Sequence, residues 1–323
     1  MLSFIAQRIV KGVVVLLAII VLNFFLIRLA PGDPAIVMAG EAGASDKVFV
    51  AQLREKFGLD RPLPEQLFVY VKGVLAFDLG FSVRQQAPVS KLILERLPAT
   101  LLLTLTAFAI SLSLGILFGT LAARFAGTFL DTAITILALI FYATPLFWIA
   151  LMAILLFSVW VDWLPSFGYE TVGANYTGFA HVLDVGAHLI MPAATIGLFF
   201  MATYTRMTRA SMLEVQRLDF VKTARAKGLR DSVIQRRHVL RNALLPVVTL
   251  AGVHSGTLIG GAVLTETVFA WPGIGRLMYE ALLQRDYNLL LGVFVVCSAM
   301  VLIFNLITDL VYRLVDPRIE FAA

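Results

Sequence analysis

Asp219-Phe220-Val221-Lys222-Thr223-Ala224-Arg225-Ala226-Lys227-Gly228 is the centre of a polar segment, residues 206–241, that separates two long uncharged stretches of the chain. This segment carries ten Lys or Arg residues and only three acids. Uncharged stretches of membrane length on both sides of a compact basic loop are typical of a helical membrane protein, in which such loops fix the orientation. The loop also offers a rigid surface on which a cytoplasmic partner could act.

The composition and the spacing of the charges predict six transmembrane helices. The chain has 323 residues, of which 59% are hydrophobic and 15% are charged, too few charges for a typical soluble protein. A bilayer core of roughly 30 Å requires about 20 apolar residues in helical form. Runs that reach or approach this length occupy residues 12–27, 97–123, 132–161, 185–205, 242–265 and 287–308. We therefore expect an all-α polytopic membrane protein, organised as a single domain over residues 1–323.

The distribution of positive charge predicts the orientation of the chain. With six spans, both termini lie on the same side of the membrane as residues 206–241. The connection 158–188 contains no Lys or Arg. The positive-inside rule therefore places the termini and residues 206–241 in the cytoplasm, and residues 31–98 form an external segment long enough to translocate regardless of charge. The net charge of +5 is mostly a topology signal, so nucleic acid is not an expected partner.

The external segment 31–98 is expected to contain two short amphipathic helices. Apolar residues recur every four positions in each of them, and Gly58 is expected to end the first. These apolar positions are Phe49, Leu53 and Phe57 in the first helix and Leu67, Val71 and Leu75 in the second. Faces this short must pack on the ends of the membrane helices.

The third uncharged run is longer than a bilayer requires. Its 30 residues would rise about 45 Å as one helix, so tilting or a break is expected. Pro145, which follows Thr144, is the predicted helix kink because proline removes a backbone donor.

The segment 206–241 is predicted to fold as helix, turn and helix. Gly228 can adopt the left-handed conformation that ends a helix, and Asp231 can cap the next one. Val221, Ala224 and Gly228 are spaced to form a narrow face of small side chains, framed by charge. Such a face suits docking into a groove of another protein. A solvated basic loop that touches lipid head groups is the alternative, and composition alone leaves both open.

The same segment resembles a known family. Residues 219–228, continuing through His238 to Pro246, are similar to the EAA-type loop of binding-protein-dependent ABC importer permeases, in particular the dipeptide, oligopeptide and nickel branch. Lys222 and Thr223 stand where the general pattern has an acid and its first alanine. The Ala-Arg-Ala-Lys-Gly variant is common in the peptide-type branch, so the departure favours that branch.

Further blocks along nearly the whole chain carry the same resemblance. They are Phe25–Pro34, Arg96–Leu101, Thr144–Trp148, Trp163–Pro165, Arg206 with Arg209–Glu214, Glu266–Phe269, Pro272–Gly275, Arg285–Tyr287, and Asp309, Tyr312 and Asp316–Arg318. Their joint order is far more specific than any single block. One departure is Phe77, where the family usually has glycine.

The resemblance implies a pore-forming permease subunit of a type I importer, located in the bacterial inner membrane. Its partners would be a second, homologous permease, two cytoplasmic ABC ATPases or one fused ATPase, and an external solute-binding protein. Residues 219–228 would be the coupling helix, seated in a groove of one ATPase. The chain itself contains no G-x-x-x-x-G-K-[ST] phosphate loop, so it is not expected to be an enzyme or to bind a cofactor, and ATP and Mg²⁺ would bind the partner subunits.

Gly252, Gly256 and Gly260 form a stripe at four-residue spacing in the fifth predicted helix. Small residues in this pattern let membrane helices approach closely. Packing within the same bundle and contact with a second permease or beside the pore both remain open.

The remaining polar residues point to no chemistry of their own. His254 has no acidic or histidine partner one turn away, which favours a packed neutral side chain, and His181 and His188 make a weak case for a metal site. A self-sufficient carrier or channel driven by a gradient is the alternative function. The absence of charged residues at mid-span argues against it.

Overall fold

The computed structural model describes residues 2–29, 47–56 and 60–315. Contacts between Cα atoms group the chain into two compact units. One unit contains Met1–Pro98 and Gly273–Ile303, and the other contains Ala99–Pro272 and Phe304–Ala323. The prediction of a single domain over residues 1–323 stays a prediction.

The first unit contains the N-terminal helix, the described part of residues 31–98 and most of the C-terminal helix. Its elements are α1 (Leu2–Leu29), α2 (Lys47–Lys56), α3 (Leu63–Leu75), β1 (Phe81–Ser82), β2 (Ala87–Pro88), the start of α4 (Val89–Arg124), α11 (Ile274–Gln284) and the first part of α12 (Tyr287–Val315). The strands pair antiparallel, with Phe81 opposite Pro88 and Ser82 opposite Ala87.

The two short helices predicted between residues 31 and 98 are observed as α2 and α3, although Phe57 and Gly58 lie outside the described residues. The buried face of α3 differs by one position from the predicted face. Val74 is buried, whereas Leu75 is 65% exposed. The reason is the 3.6-residue period, which puts a residue seven positions after Leu67, and not eight, back over the same face.

The second unit contains the central membrane helices and the basic loop. Its elements are the rest of α4, α5 (Phe129–Ala143), α6 (Leu146–Ala153), the π-helical segment Ile154–Trp160, α7 (Phe179–Val215), α8 (Asp219–Ala226), α9 (Asp231–Val233), the π-helical segment Ile234–Leu240, α10 (Arg241–Val268) and the end of α12. α7 is one continuous helix of 37 residues and carries Pro192 in its interior.

Four helices of the described chain are long and apolar enough to cross a membrane. They are Ala6–Leu26, Val89–Arg124, Phe179–Val215 and Tyr287–Thr308. α5 and the following segment Leu146–Trp160 add a fifth if this bent pair is one span. The predicted run 242–265 is helical as part of α10, in which the side chains of residue 255 and of residues 257–261 lie outside the description. The all-α class is therefore observed, and the count of six stays a prediction.

The chain breaks sharply where a kink was predicted. α5 ends at Ala143, α6 begins at Leu146, and the axes of the two halves differ by 103°. The Thr144 hydroxyl donates to the Ile140 carbonyl at 2.7 Å, and the Thr144 N–H donates to the same oxygen at 3.1 Å. Thr144 then adopts an extended ψ of 132°, the conformation favoured before a proline. The helix thus ends and restarts at Pro145.

Glycines set the close approaches between helices of the second unit. A Cβ atom at Gly119 of α4 would lie 2.5 Å from the Thr208 Cβ of α7, so the two backbones approach as only glycine permits. Gly252 of α10 abuts Thr308 of α12 in the same way. Gly256 lies one turn further along α10, and the surroundings of Gly260 lie outside the description.

Candidate functional site

The segment 206–241 folds as a compact elbow in which α8 follows α7 after a three-residue turn. α7 ends at Val215, and the Leu218 N–H donates to the Val215 carbonyl at 3.1 Å. Leu218 is extended, with ψ of 150°, and α8 begins at the next residue. The short turn keeps α8 against the end of α7.

One face of α8 packs on the chain itself. Val221 is fully buried and Ala224 is 5% exposed. They belong to an apolar cluster whose other buried members are Ala123, Met212, Ile234, Val239 and Ala243. The prediction that Val221 and Ala224 present a small-residue face to a partner is therefore wrong. Small side chains are needed here because α8 lies close to its own α7 and to the helix that follows.

The opposite face of α8 is free for a partner. Its exposed residues are Asp219, Phe220, Lys222, Thr223, Arg225, Ala226 and Lys227. Phe220 is 41% exposed, and the flanking Leu218 and Leu229 are 46% and 42% exposed. The outward surface therefore combines cations with large apolar side chains, which suits a groove that has an apolar floor and acidic edges.

Gly228 ends α8 in the left-handed conformation that the sequence predicted. Its φ is +73°, and a Cβ atom added there would meet no atom within 4 Å. The Leu229 N–H donates to the Ala224 carbonyl at 3.3 Å, and the Gly228 N–H donates to the Arg225 carbonyl at 2.9 Å. These two bonds form a Schellman motif, which satisfies the last carbonyls of the helix.

Asp231 does not cap the next helix, in contrast to the prediction. It is the first residue of α9, and the preceding residue Arg230 makes no side-chain capping bond. The Asp231 carboxylate instead lies 3.8 Å from the Arg225 guanidinium across the turn. Asp219 makes a similar local ion pair with Lys222, at 2.8 Å. Both pairs are exposed, so each contributes less than about 1 kcal/mol to stability.

The elbow continues without interruption into a membrane helix. α9 runs directly into the π-helical segment Ile234–Leu240, which runs directly into α10. The amide of Gln216, in the turn before α8, donates to the Gln235 amide oxygen at 3.2 Å. A force on α8 therefore reaches both α7 and α10. No sequence signal for the π-helical segment was identified.

A partly buried ion pair joins the part of α7 that begins the elbow to α5. The Arg209 guanidinium of α7 donates to both Asp131 oxygens of α5, at 2.6 and 2.7 Å. The Gly127 N–H also donates to Asp131, at 2.9 Å. A bidentate pair of this kind holds its partners in one register. The sequence analysis missed it because 78 residues separate the two side chains.

The histidines take part in local packing. His188 lies 2.9 Å from the Asp184 carbonyl, and His181 lies 3.2 Å from a carboxylate oxygen of Glu170. His254 packs against the rings of Phe200 and Tyr204. Within residues 2–29, 47–56 and 60–315, no group of three or more His, Cys, Asp or Glu side chains could hold a metal ion.

Comparisons with known proteins agree over nearly the whole chain. Residues 115–321 match the family described as binding-protein-dependent transport system inner membrane component, and residues 1–104 match the N-terminal family of such components. The dipeptide transport system permease protein DppB of Escherichia coli K12 is 40% identical over 337 aligned positions, covering 99% of each chain. The oligopeptide transport system permease protein AppB of Bacillus subtilis 168 is 38% identical, covering 99% of this chain and all of its own.

Solved structures share the fold. Two crystal forms of the MetNI methionine ABC transporter, in inward-facing conformations, align with TM-scores of 0.55 and 0.57 at 21% and 20% identity. They cover 69% and 70% of this chain and 96% of the transporter chain.

Proposed function

The chain belongs to the family of inner membrane components of binding-protein-dependent transport systems, and from this premise we propose that it is a pore-forming permease subunit of an ATP-driven importer for peptides. The family prediction and the all-α importer fold are confirmed, and the chain is a transport component and not an enzyme. The peptide class is supported by relatives near 40% identity whose names specify dipeptide and oligopeptide transport.

The outward face of α8 is the observation that carries the mechanism. We propose that this face, which exposes Phe220, Lys222 and Arg225, binds a cytoplasmic ATPase. Both ends of α8 are tied to membrane helices, through the turn from α7 and through the segment leading to α10. Closure of an ATPase pair would then move α8 and switch the bundle between inward- and outward-facing states.

The full assembly in this proposal contains a second permease, two ATPases or one fused ATPase, and an external solute-binding protein. ATP and Mg²⁺ bind the ATPases and not this chain. The termini and the elbow face the cytoplasm, supported by the ten Lys and Arg residues of segment 206–241 and by the absence of such residues from segment 158–188.

Purification and reconstitution test the assignment. We expect the chain to co-purify with a second permease and with ATPase subunits, and dipeptide uptake into proteoliposomes to require both ATP and the binding protein. Uptake by this chain alone without nucleotide would show a self-sufficient carrier and contradict the proposal.

Cysteine cross-linking tests the face of α8 that binds the ATPase. Lys222→Cys should cross-link to the ATPase from the cytoplasmic side, because Lys222 is exposed. Val221→Cys is the matched control, one residue away on the buried face. Equal cross-linking at both positions, or labelling of Lys222→Cys only from the external side, would contradict the proposed contact.

A further inference from the structure

Among the residues that the structure describes, Arg206 has an aromatic partner and no acidic one. Its guanidinium carbon lies 4.4 Å from the centre of the Tyr142 ring, and the side chain is exposed. Within residues 2–29, 47–56 and 60–315, Arg206 forms no ion pair. Arg209, one turn further along α7, is neutralised by Asp131. Within the described part of the chain, the charge of Arg206 is therefore uncompensated, whereas that of Arg209 on the same helix is paired.

The guanidinium of Arg206 is directed along α7, away from the end of α5 that carries Asp131. The Arg209–Asp131 pair and the stacked rings of Tyr142 and Phe199, 6.2 Å apart, show that α5 and α7 run antiparallel. Tyr142 follows Asp131 by eleven residues, which is about 16 Å along a helix. Arg206 precedes Arg209 by only three residues, so its side chain extends away from the Asp131 end to reach that ring.

This direction is the reverse of what a lipid-facing arginine adopts. An arginine beside hydrocarbon lowers its cost by extending toward the nearest water at the membrane surface. Arg206 extends the other way and is exposed, a geometry that suits a surface reached by water at this level. In a transport component, such water belongs to the path of the solute.

The surroundings of Arg206 suit a small organic anion that also carries apolar groups. The ring of Tyr142 is 47% exposed and lies nearly parallel to Phe199, with 18° between the ring planes. A guanidinium over such a ring presents paired N–H donors to a carboxylate, and the rings offer apolar surface beside it.

The neighbouring cavity offers apolar contact only. It has a volume of about 530 Å³, and Ile140, Phe141 and Leu198 are among its lining residues. Its two hydroxyl groups, of Thr144 and Thr195, donate to the Ile140 and Met191 carbonyls of their own helices.

We propose that Arg206, held over Tyr142, is an anion-binding site on the solute path, where the carboxylate of a small peptide contacts this chain. The proposal rests on the function proposed above and adds a residue and a chemical group to it. A phospholipid phosphate and an acidic side chain of the second permease are the competing occupants.

Thiol labelling at Leu139 tests the site without knowledge of the solute. Leu139 is 52% exposed and precedes Tyr142 by one turn of α5, so Leu139→Cys reports on the water and the charge near Arg206. The assembled importer, in nanodiscs and with Cys297→Ala, is treated with anionic MTSES and with cationic MTSET. We expect both reagents to react, with an MTSES-to-MTSET rate ratio that falls roughly fivefold on Arg206→Gln, the effect of one unit charge near water.

Two controls define the result. Arg206→Lys should keep the MTSES-to-MTSET rate ratio at Leu139→Cys. Val172→Cys serves as the second control, because Val172 is 98% exposed and lies in segment 158–188. Its rate ratio should not change when Arg206→Gln is added. A Leu139→Cys thiol that reacts with neither reagent would indicate lipid or a covering permease, and would overturn the proposal. A ratio insensitive to Arg206→Gln would overturn it as well.

Uptake measurements distinguish a failure of the Arg206 site from a failure of the proposed peptide-importer function. ATP-dependent uptake of Ala-Ala should fall severalfold in Arg206→Gln and recover in Arg206→Lys. If the unsubstituted importer takes up no peptide while the labelling ratio responds to Arg206, the peptide assignment fails and an anion site for another solute class remains. If peptides are taken up and Arg206→Gln changes neither uptake nor labelling, the site itself is refuted.

Discussion

The turn after α8 and the turn after α3 have the same backbone design but different residues at the critical position. After α3, the Asp78 N–H donates to the Gly73 carbonyl at 2.9 Å and the Phe77 N–H donates to the Val74 carbonyl at 3.0 Å, the pattern also seen after α8. Phe77 has φ of +61° and Gly228 has φ of +73°. A left-handed conformation costs a residue with a side chain roughly 1–2 kcal/mol, and glycine avoids this cost.

The surroundings explain why one turn tolerates phenylalanine. Beyond Phe77, the Asp78 carboxylate accepts the Gly80 N–H at 3.2 Å, and the hairpin that follows is fixed by the buried hydrogen bond from the Ser82 hydroxyl to Asp286. Fixed neighbours impose the conformation on Phe77 despite its cost. The elbow turn is flanked by the exposed Arg225–Asp231 pair, so its geometry depends on Gly228 itself. The elbow is therefore specified locally and the external turn by tertiary contacts.

The largest effect is expected from removing the buried anchor of the external region. Asp286 is 1% exposed, accepts the Ser82 hydroxyl, and caps α12 by accepting the Leu289 N–H at 3.0 Å. Asp286→Ala removes the cap and leaves the Ser82 hydroxyl buried without its acceptor, so we expect a loss of roughly 2–4 kcal/mol in the free energy of unfolding. The melting temperature of the purified protein in detergent measures this loss. Asp286→Asn keeps an acceptor and should be milder, and equal effects would contradict the assigned role.

The second largest effect is expected at the buried face of α8. Ala224→Leu places three extra carbon atoms in the cluster with Met212 and Ile234, which should cost roughly 1–3 kcal/mol of stability. Ala226→Leu makes the same change on the exposed face of α8 and should alter stability by about 0.5 kcal/mol or less. Melting temperatures of the two variants compare the faces directly. A larger shift for Ala226→Leu would mean that the faces are exchanged.

Gly228→Val should disturb the elbow turn without a steric clash. Because a Cβ atom there meets no neighbour, the cost is one of backbone conformation, roughly 1–2 kcal/mol for a left-handed residue and greatest for a β-branched one. We expect insertion to be retained and ATP-driven uptake to fall relative to ATP hydrolysis in the reconstituted importer. Gly228→Asn is the control, because asparagine tolerates this conformation. Full uptake by the valine variant would show that the turn does not couple the two processes.

The smallest expected effect is an increase in stability. Phe77→Gly relieves the left-handed strain but adds freedom to the unfolded chain, and these two backbone contributions together favour the variant by about 0.5–1 kcal/mol. The Phe77 side chain is 45% exposed, so its removal takes away only part of the apolar burial of a phenylalanine. A rise of the melting temperature measures the gain. A fall would show that the Phe77 ring contributes more through packing than the turn costs.

The sequence supported predictions where a single local pattern decides the outcome. Long uncharged runs indicated the helical class, Pro145 marked the break after α5, and Gly228 marked the left-handed end of α8. No such local pattern decides which face of α8 is buried. Eight residues form too short a helix to be stable alone, so Met212 and Ile234 decide which face is buried.

Features that join distant residues were missed for the same reason. The Arg209–Asp131 pair and the Arg206–Tyr142 contact each connect α7 with α5. The strain at Phe77 is invisible in the sequence because phenylalanine gives no signal for positive φ, although the family departure at this position was noted. The role of residues 219–228 in binding an ATPase stays a prediction.

Pro192 gives the long helix α7 a pivot. Without an N–H, this residue cannot donate to the carbonyl of His188, four positions earlier, so the helix is most easily bent there. From Pro192 to Val215 the helix is a lever arm of about 35 Å. A bend of about 5° at the pivot would sweep the far end through about 3 Å at this arm length. A small hinge motion at Pro192 therefore corresponds to a displacement of about 3 Å at the elbow.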